Sequence, residues 1–367
     1  LAAGLVNTIV LFPSRIPNRQ HLMIEKIDMQ IDLILQMILL KQLMLLLTLH
    51  HTNLIEFITA YTPDVSGASL TTIYRVFTYP GMSLREIIDS KLRITLKDVR
   101  RMLADALHAL QYLHSAIPNW GTLDYKLNPR RMWLDNNGKL AISATSDISA
   151  EDINPRKKGS CETYKPIERL VSFSEPYDKR VDLWSVGAIL CELLTGESLF
   201  YEKDTPILQV MVNKCGPIED CLLAQISNED VRDTLRIESS RAQRIDFIEY
   251  LTKKGRMSMR DDIDLNKVEL IEFIDGTLQL NPSKRMSVEQ ALSSRLLVEF
   301  ATDASGITTI TQIPDEKPLP DDENEALLEC KQRIWAQIQA APQFPLMEHT
   351  EQSRINHQQI DICQPDD

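Results

Sequence analysis

The chain has 367 residues, 43% of them hydrophobic and 25% charged, a balance that suits a soluble globular protein with room for two lobes and large cores. Its formal net charge of −12, with a sequence pI near 5.2, argues against a general nucleic-acid or anionic-membrane surface. Glycine occurs only 12 times, which argues against several glycine loops cradling phosphates, and the six cysteines lack CxxC pairing or nearby histidines, as expected of reduced thiols.

Residues 1–80 read as short strands with one long helix, and no signal peptide is expected. The stretches "HLMIEKI" (21–27) and "TTIYRVF" (71–77) are dense in apolar and β-branched residues, as strands are. Between them, "IDLILQMILLKQLMLLLTLHH" (31–51) is almost long enough to span a bilayer. Asp32, Gln36, Lys41 and Gln42 interrupt it, however, and a mid-span lysine is costly in lipid. A helix apolar on nearly every face is expected instead, covered either by the rest of the chain or by a protein partner. "YTPDVSGAS" (61–69) has the composition of a loop.

After "YPG" (79–81) the texture becomes helical. Residues 95–115 carry Val99, Met102, Leu103, Ala106, Leu110 and Leu113 at helical spacing, with Thr95 and Asp98 placed as a capping start. Asn136-Asn137-Gly138 predicts the turn of a hairpin over 131–143. The polar run 144–163 lacks periodicity and reads as a long loop. "VDLWSVGAILCELLTG" (181–196) should be a central buried helix, and Ser287 with Gln290 predicts a capping box. Residues 303–324 are irregular and acidic. They precede an amphipathic helix with Leu327, Cys330, Ile334 and Ile338 on one face, and the tail from about 347 has a disordered composition.

The segments "YLHSA" (112–116), "LDNNGKLAIS" (134–143), "DKRVDLWSVGAILCELLTGESLF" (178–200) and "NPSKRMSVEQAL" (281–292) together resemble the mitogen-activated protein kinases, closest to the stress-activated branch. The likeness covers roughly residues 1–340. It implies an α+β, bilobal protein-kinase-like fold, with a small β-rich N-lobe containing one long helix and a larger α-helical C-lobe. The implied divisions are an N-lobe over 1–80 and a C-lobe over 81–300 with a family-type insertion at about 215–270. A C-terminal extension over 301–346 would pack back on the N-lobe, ahead of a disordered tail over 347–367.

The resemblance also implies where kinase chemistry should sit, and there the residues depart from the pattern. Phosphate transfer in this family asks for a glycine-rich cover, a strand lysine paired with a helix glutamate, a catalytic aspartate, and an Asn/Asp pair for magnesium. Near "AAGLVN" (2–7) only Gly4 remains of three glycines. Glu25 aligns with the strand lysine, while its neighbour Lys26 should point to the opposite face, and Gln42 aligns with the helix glutamate. Lys126 stands at the catalytic aspartate, Arg131 at the metal asparagine, and Ala144 at the metal aspartate. Asp124 and Asp147 lie two residues early and three residues late as displaced carboxylates.

The nucleotide pocket is expected to be altered at Met23, Phe77, Pro80 and Met132; Pro80 has no N–H to offer a base. The family's two phosphorylation positions fall on Arg156, Lys157 and Lys158, leaving only Ser160, Thr163 and Tyr164 as flanking hydroxyls, and Tyr125 replaces the arginine that would read a phosphate. The acidic docking cluster aligns with Thr302, Asp303, Ala304, Ser305 and Gly306, where one acid remains. Glu168, Asp182 and Arg285 keep architectural positions: Glu168 as partner of Arg285, and Asp182 as acceptor for the catalytic-loop backbone.

These positions lead to the expectation of a pseudokinase, not an enzyme, acting as scaffold, decoy or allosteric partner in intracellular signalling. No cofactor, metal, nucleic acid or membrane is expected. Its partner would be a protein, with kinases of a MAP-kinase cascade as candidates, in the cytoplasm or also the nucleus. The alternative is an unconventional or residual serine/threonine kinase using displaced acidic groups. A nucleotide-binding sensor without turnover is a third reading.

Overall fold

The computed structural model describes residues 6–13, 21–29, 32–90, 92, 94–117, 127–144, 161–171, 173, 178–256, 266–300, 318–320 and 322–342. Strands β1 (Val6–Pro13) and β2 (His21–Asp28) are followed by helix α1 (Leu33–Thr48) and strands β3 (Phe57–Tyr61) and β4 (Thr72–Thr78). The strands form one antiparallel sheet in the order β1-β2-β4-β3. Helix α1 begins where Asp32 accepts the backbone N–H of Leu35 at 2.9 Å, satisfying one of the donors a helix start leaves open.

The second lobe opens with β5 (Met82–Ser83), α2 (Leu84–Asp89) and α3 (Leu96–Ala116). Both helices begin in reciprocal capping boxes, Ser83 with Glu86 and Thr95 with Asp98. Strands β6 (Met132–Leu134) and β7 (Leu140–Ile142) make the hairpin expected around Asn136-Asn137-Gly138, and β5 extends it to three strands. The approach is tight at Gly81, where φ is +107° and a Cβ would fall 1.9 Å from the carbonyl oxygen of Leu134.

Helices α4 (Ile167–Leu170), α5 (Val181–Thr195), α6 (Ile207–Cys215), α7 (Asp220–Leu223), α8 (Glu229–Arg241), α9 (Phe247–Lys254), α10 (Lys267–Thr277) and α11 (Val288–Leu292) complete the lobe. Every residue of α5 is buried, as its all-round apolar sequence requires, and Trp184 stacks on Phe200 at 4.9 Å. Helix α10 crosses α5 at Gly187, where a Cβ would sit 2.4 Å from Thr277 Oγ1. No helix among the described residues is long and apolar enough to cross a membrane.

Helix α12 (Glu323–Ala340) returns to the first lobe and lies on α1. Cys330, Ile334 and Ile338 share a buried cluster with Leu39, Leu40 and Leu43 of α1 and with Ile27, Ala60, Leu70 and Ile73 of the sheet side. The covering of α1 thus comes in large part from its own chain. The buried stripe of α12 differs from the expected one at its start: Ala326 is buried, whereas Leu327 is only half-buried, because the face that meets α1 follows 326, 330, 334 and 338. Just past the helix, Thr59 of β3 donates its hydroxyl to the carbonyl of Pro342 at 2.7 Å.

Candidate active site between the lobes

Strands β2 and β4 are paired so that Met23 faces Phe77 and Glu25 faces Arg75. Side chains alternate along a strand, so Met23, Glu25 and Ile27 share the inward face with Ile73, Arg75 and Phe77, while Lys26 is exposed on the other. Arg75 is only 1% exposed. Its Nη2 pairs with Glu25 Oε2 at 2.7 Å, its Nη1 donates to Gln42 Oε1 of α1 at 2.8 Å, and its guanidinium carbon lies 5.9 Å from the Phe77 ring centre. Sequence reading missed Arg75; the signal was there, a charge in phase with Ile73 and Phe77.

On the opposite wall, Arg131 ends a short 3₁₀ turn (Pro129–Arg131) that begins where Asn128 accepts the N–H of Arg130 at 3.0 Å. Its own carbonyl accepts the N–H of Ser143 at 3.1 Å, so the turn is stitched to the strand that leads to Ala144. Met23, Phe77, Met132, Ile142 and Ala144 are buried members of one apolar cluster running between the lobes, and Pro80 is half-buried. The lobes are also joined through the backbone, Ile55 donating to Ile142 at 3.0 Å and Ile142 to Asn53 at 2.9 Å. Gly4, Asp124, Lys126, Asp147, Arg156, Lys157 and Lys158 lie outside the described residues, as do 302–306 and the tail from 347.

Below this wall the architectural groups are assembled. Arg285 reaches Glu168 with both terminal nitrogens, at 2.5 and 2.8 Å, and donates further to the carbonyls of Gln279 (2.7 Å), Leu280 and Arg180 (both 3.3 Å). Asp182 Oδ2 meets His114 Nε2 at 2.8 Å, and Lys179 donates to the carbonyl of His114. Whether Asp182 also accepts from the loop at 118–126 lies outside the described residues. A second buried network gave no sequence signal: Glu192 accepts from Arg85 at 2.8 Å and from the Tyr164 hydroxyl at 2.5 Å, and Arg85 also clasps Asp89 at 2.7 and 2.9 Å.

Arg131 is a buried cation and Ala144 offers only a methyl group, whereas hard cations need oxygen ligands. Among the described residues no group of three or more His, Cys, Asp or Glu is placed to hold a metal ion.

Residues 25–297 match the model of the protein kinase domain, so the chain belongs to the protein kinase family. Within that family, its similarity is to mitogen-activated protein kinases, as the sequence motifs implied. It is 26% identical to mitogen-activated protein kinase pmk-3 of Caenorhabditis elegans, over 80% of this chain and 60% of that one. It is 26% identical to mitogen-activated protein kinase HOG1 of Exserohilum turcicum, over 71% and 72% of the two chains. It is 24% identical to mitogen-activated protein kinase 12 of Danio rerio, over 86% and 81%. The chain thus spans about three fifths of the length of pmk-3.

These matches correct the expectation that the chain is not an enzyme. A family of phosphotransferases is matched along residues 25–297, with relatives named as kinases. On the sequence alone Glu25 and Gln42 read as an ion pair lost at both ends. In the fold a cation does stand between them, supplied by the neighbouring strand as Arg75.

Proposed function

We propose that the chain is a MAP-kinase-like serine/threonine protein kinase of unconventional site composition, working in an intracellular signalling cascade with other kinases as its protein partners. The observation that carries this reading is the match of residues 25–297 to the protein kinase domain, on a chain that keeps two lobes and the Glu168–Arg285 tie between α4 and the turn before α11. Displaced carboxylates are available in sequence at Asp124, two residues before the position aligned with the catalytic aspartate, and Asp147, three residues after the one aligned with the metal aspartate. The cytoplasm, or also the nucleus, is the location this reading implies.

The test is transfer of radiolabelled phosphate from ATP to a generic Ser/Thr protein substrate, before and after treatment with an upstream dual-specificity kinase. Transfer by the full chain that is lost in Asp124→Ala or Asp147→Ala supports the reading. No transfer above background in either condition overturns it.

A second reading, a scaffolding or allosteric role beside the kinases of such a cascade, is favoured by one observation. Met23, Phe77 and Met132, which the resemblance aligns with the nucleotide pocket, are buried members of the main apolar cluster. Co-purification of a cascade kinase with the full chain, unaffected by added ATP, is its expected result; displacement of that kinase by ATP would oppose it.

A further inference from the structure

Glu25, Arg75 and Gln42 form a polar cluster of three elements, with exposures of 6%, 1% and 3%. A guanidinium enclosed to this degree is expensive unless a neighbouring carboxylate neutralises it and acceptors take its N–H groups. Glu25 does the first from β2, and Gln42 adds a neutral acceptor from α1. The bond to Gln42 is the polar link between sheet and helix that the cluster provides. Most of the other inward residues of α1, Leu39, Leu40 and Leu43 among them, are apolar and make no directional bond, although Gln36 is buried on the helix as well.

We propose that Arg75 is the positioning residue that docks α1 on the sheet, through a tie with its charges transposed. The carboxylate stands on β2, the cation on β4, and the helix contributes an amide. The Glu25–Arg75 pair and the bond to Gln42 are all made by the chain's own side chains, so α1 is held without a bound nucleotide. The inference rests on the geometry of β2, β4 and α1 and not on the kinase reading above, so either can fail alone.

A side-chain amide carries both an acceptor oxygen and a donor nitrogen, so Gln42 can serve a carboxylate on β4 as well as a guanidinium. Reversing the pair should therefore rescue the tie. The measurement is hydrogen exchange of the full chain, comparing amides of α1 with those of α5 as an internal control. Arg75→Met, and independently Gln42→Leu, are expected to speed exchange in 33–48 by about tenfold or more with α5 unchanged. The combined Glu25→Arg and Arg75→Glu chain is expected to return within about threefold of the parent, and millimolar ATP should leave the exchange of α1 in the parent unchanged. Unchanged exchange in Arg75→Met and Gln42→Leu, acceleration of α1 and α5 alike in both, failure of the reversed pair to rescue, or strong slowing of α1 by ATP would each overturn the proposal.

Discussion

Tyr164 donates its hydroxyl to Glu192 at 2.5 Å, and both side chains are inside the C-lobe, at 2% and 0% exposure. Tyr164 and its neighbour Thr163, 1% exposed, follow Arg156, Lys157 and Lys158 within eight residues of sequence. An incoming kinase needs a hydroxyl it can reach. Treatment of the folded chain with an upstream dual-specificity kinase is expected to leave both unmodified, and denatured chain is expected to expose them. Phosphopeptide mapping decides this; stoichiometric phosphate on Tyr164 of the native protein would contradict the placement.

Arg285 and Glu168 lie 117 positions apart, and their side chains are 0% and 2% exposed. Removing one member strands the other charge, at a cost of about 3–5 kcal/mol. Arg285→Met and Glu168→Gln should each lower the urea midpoint accordingly, and the double replacement should cost less than the sum of the two. Strict additivity would mean that the pair does not interact as drawn.

Thiol chemistry should sort the cysteines by burial. Cys161, Cys191, Cys215 and Cys330 are buried and Cys221 is exposed. Burial pushes the Cys215 thiol up from 9.0 to about 12 and Cys191 further still. Of these five, only Cys221 is expected to react rapidly with a thiol reagent at pH 8 in the native chain. The same shifts predict an alkaline limit. Between pH 9 and about 12 the unfolded chain gives up protons that the folded one keeps, so stability falls as pH rises. Tyr164 adds to the fall above 10, because burial, and then the Glu192 carboxylate, hold its proton far above the usual range. A pH series of unfolding midpoints checks the direction.

His51 sets an acid limit of the opposite sense. Burial, with His108 and Lys139 nearby, lowers it from 6.5 to about 4. Its Nδ1 accepts the N–H of Asn53 at 3.1 Å and its ring stacks on Tyr112 at 5.0 Å, a geometry that needs the neutral ring. Its stabilisation is present above pH 6.5 and is lost as pH falls towards 4, where the unfolded chain binds a proton the folded one resists. His51→Phe keeps an aromatic ring and removes the titration. It should lower stability at pH 7 while flattening its slope between 6.5 and 4; an unchanged slope would remove His51 as the cause.

Much of the fold was legible from local pattern. The two capping boxes at Thr95 and Ser287, the hairpin at Asn136-Asn137-Gly138 and the all-round apolar helix at 181–196 are each written within about fifteen residues, so no distant contact is needed to read them. The site was less legible because its meaning lies in strand pairing. Glu25 keeps phase with Met23 and Ile27, and Arg75 with Ile73 and Phe77, but only the register that sets residue 25 against 75 turns two misplaced charges into a pair. Arg85, Tyr164 and Glu192 come from three separate elements and leave no mark in any one of them.

Helix α12 begins about 290 residues after α1 does. At roughly 5–20 residues per second of synthesis, α1 leaves the ribosome about 15–60 s before the segment that covers Leu39, Leu40 and Leu43 exists. For that interval the N-lobe is a sheet and a greasy helix without its lid, the kind of surface that holding chaperones recognise. Chains halted before residue 323 would stay in that condition permanently, which ties the survival of a nascent N-lobe to the completion of translation.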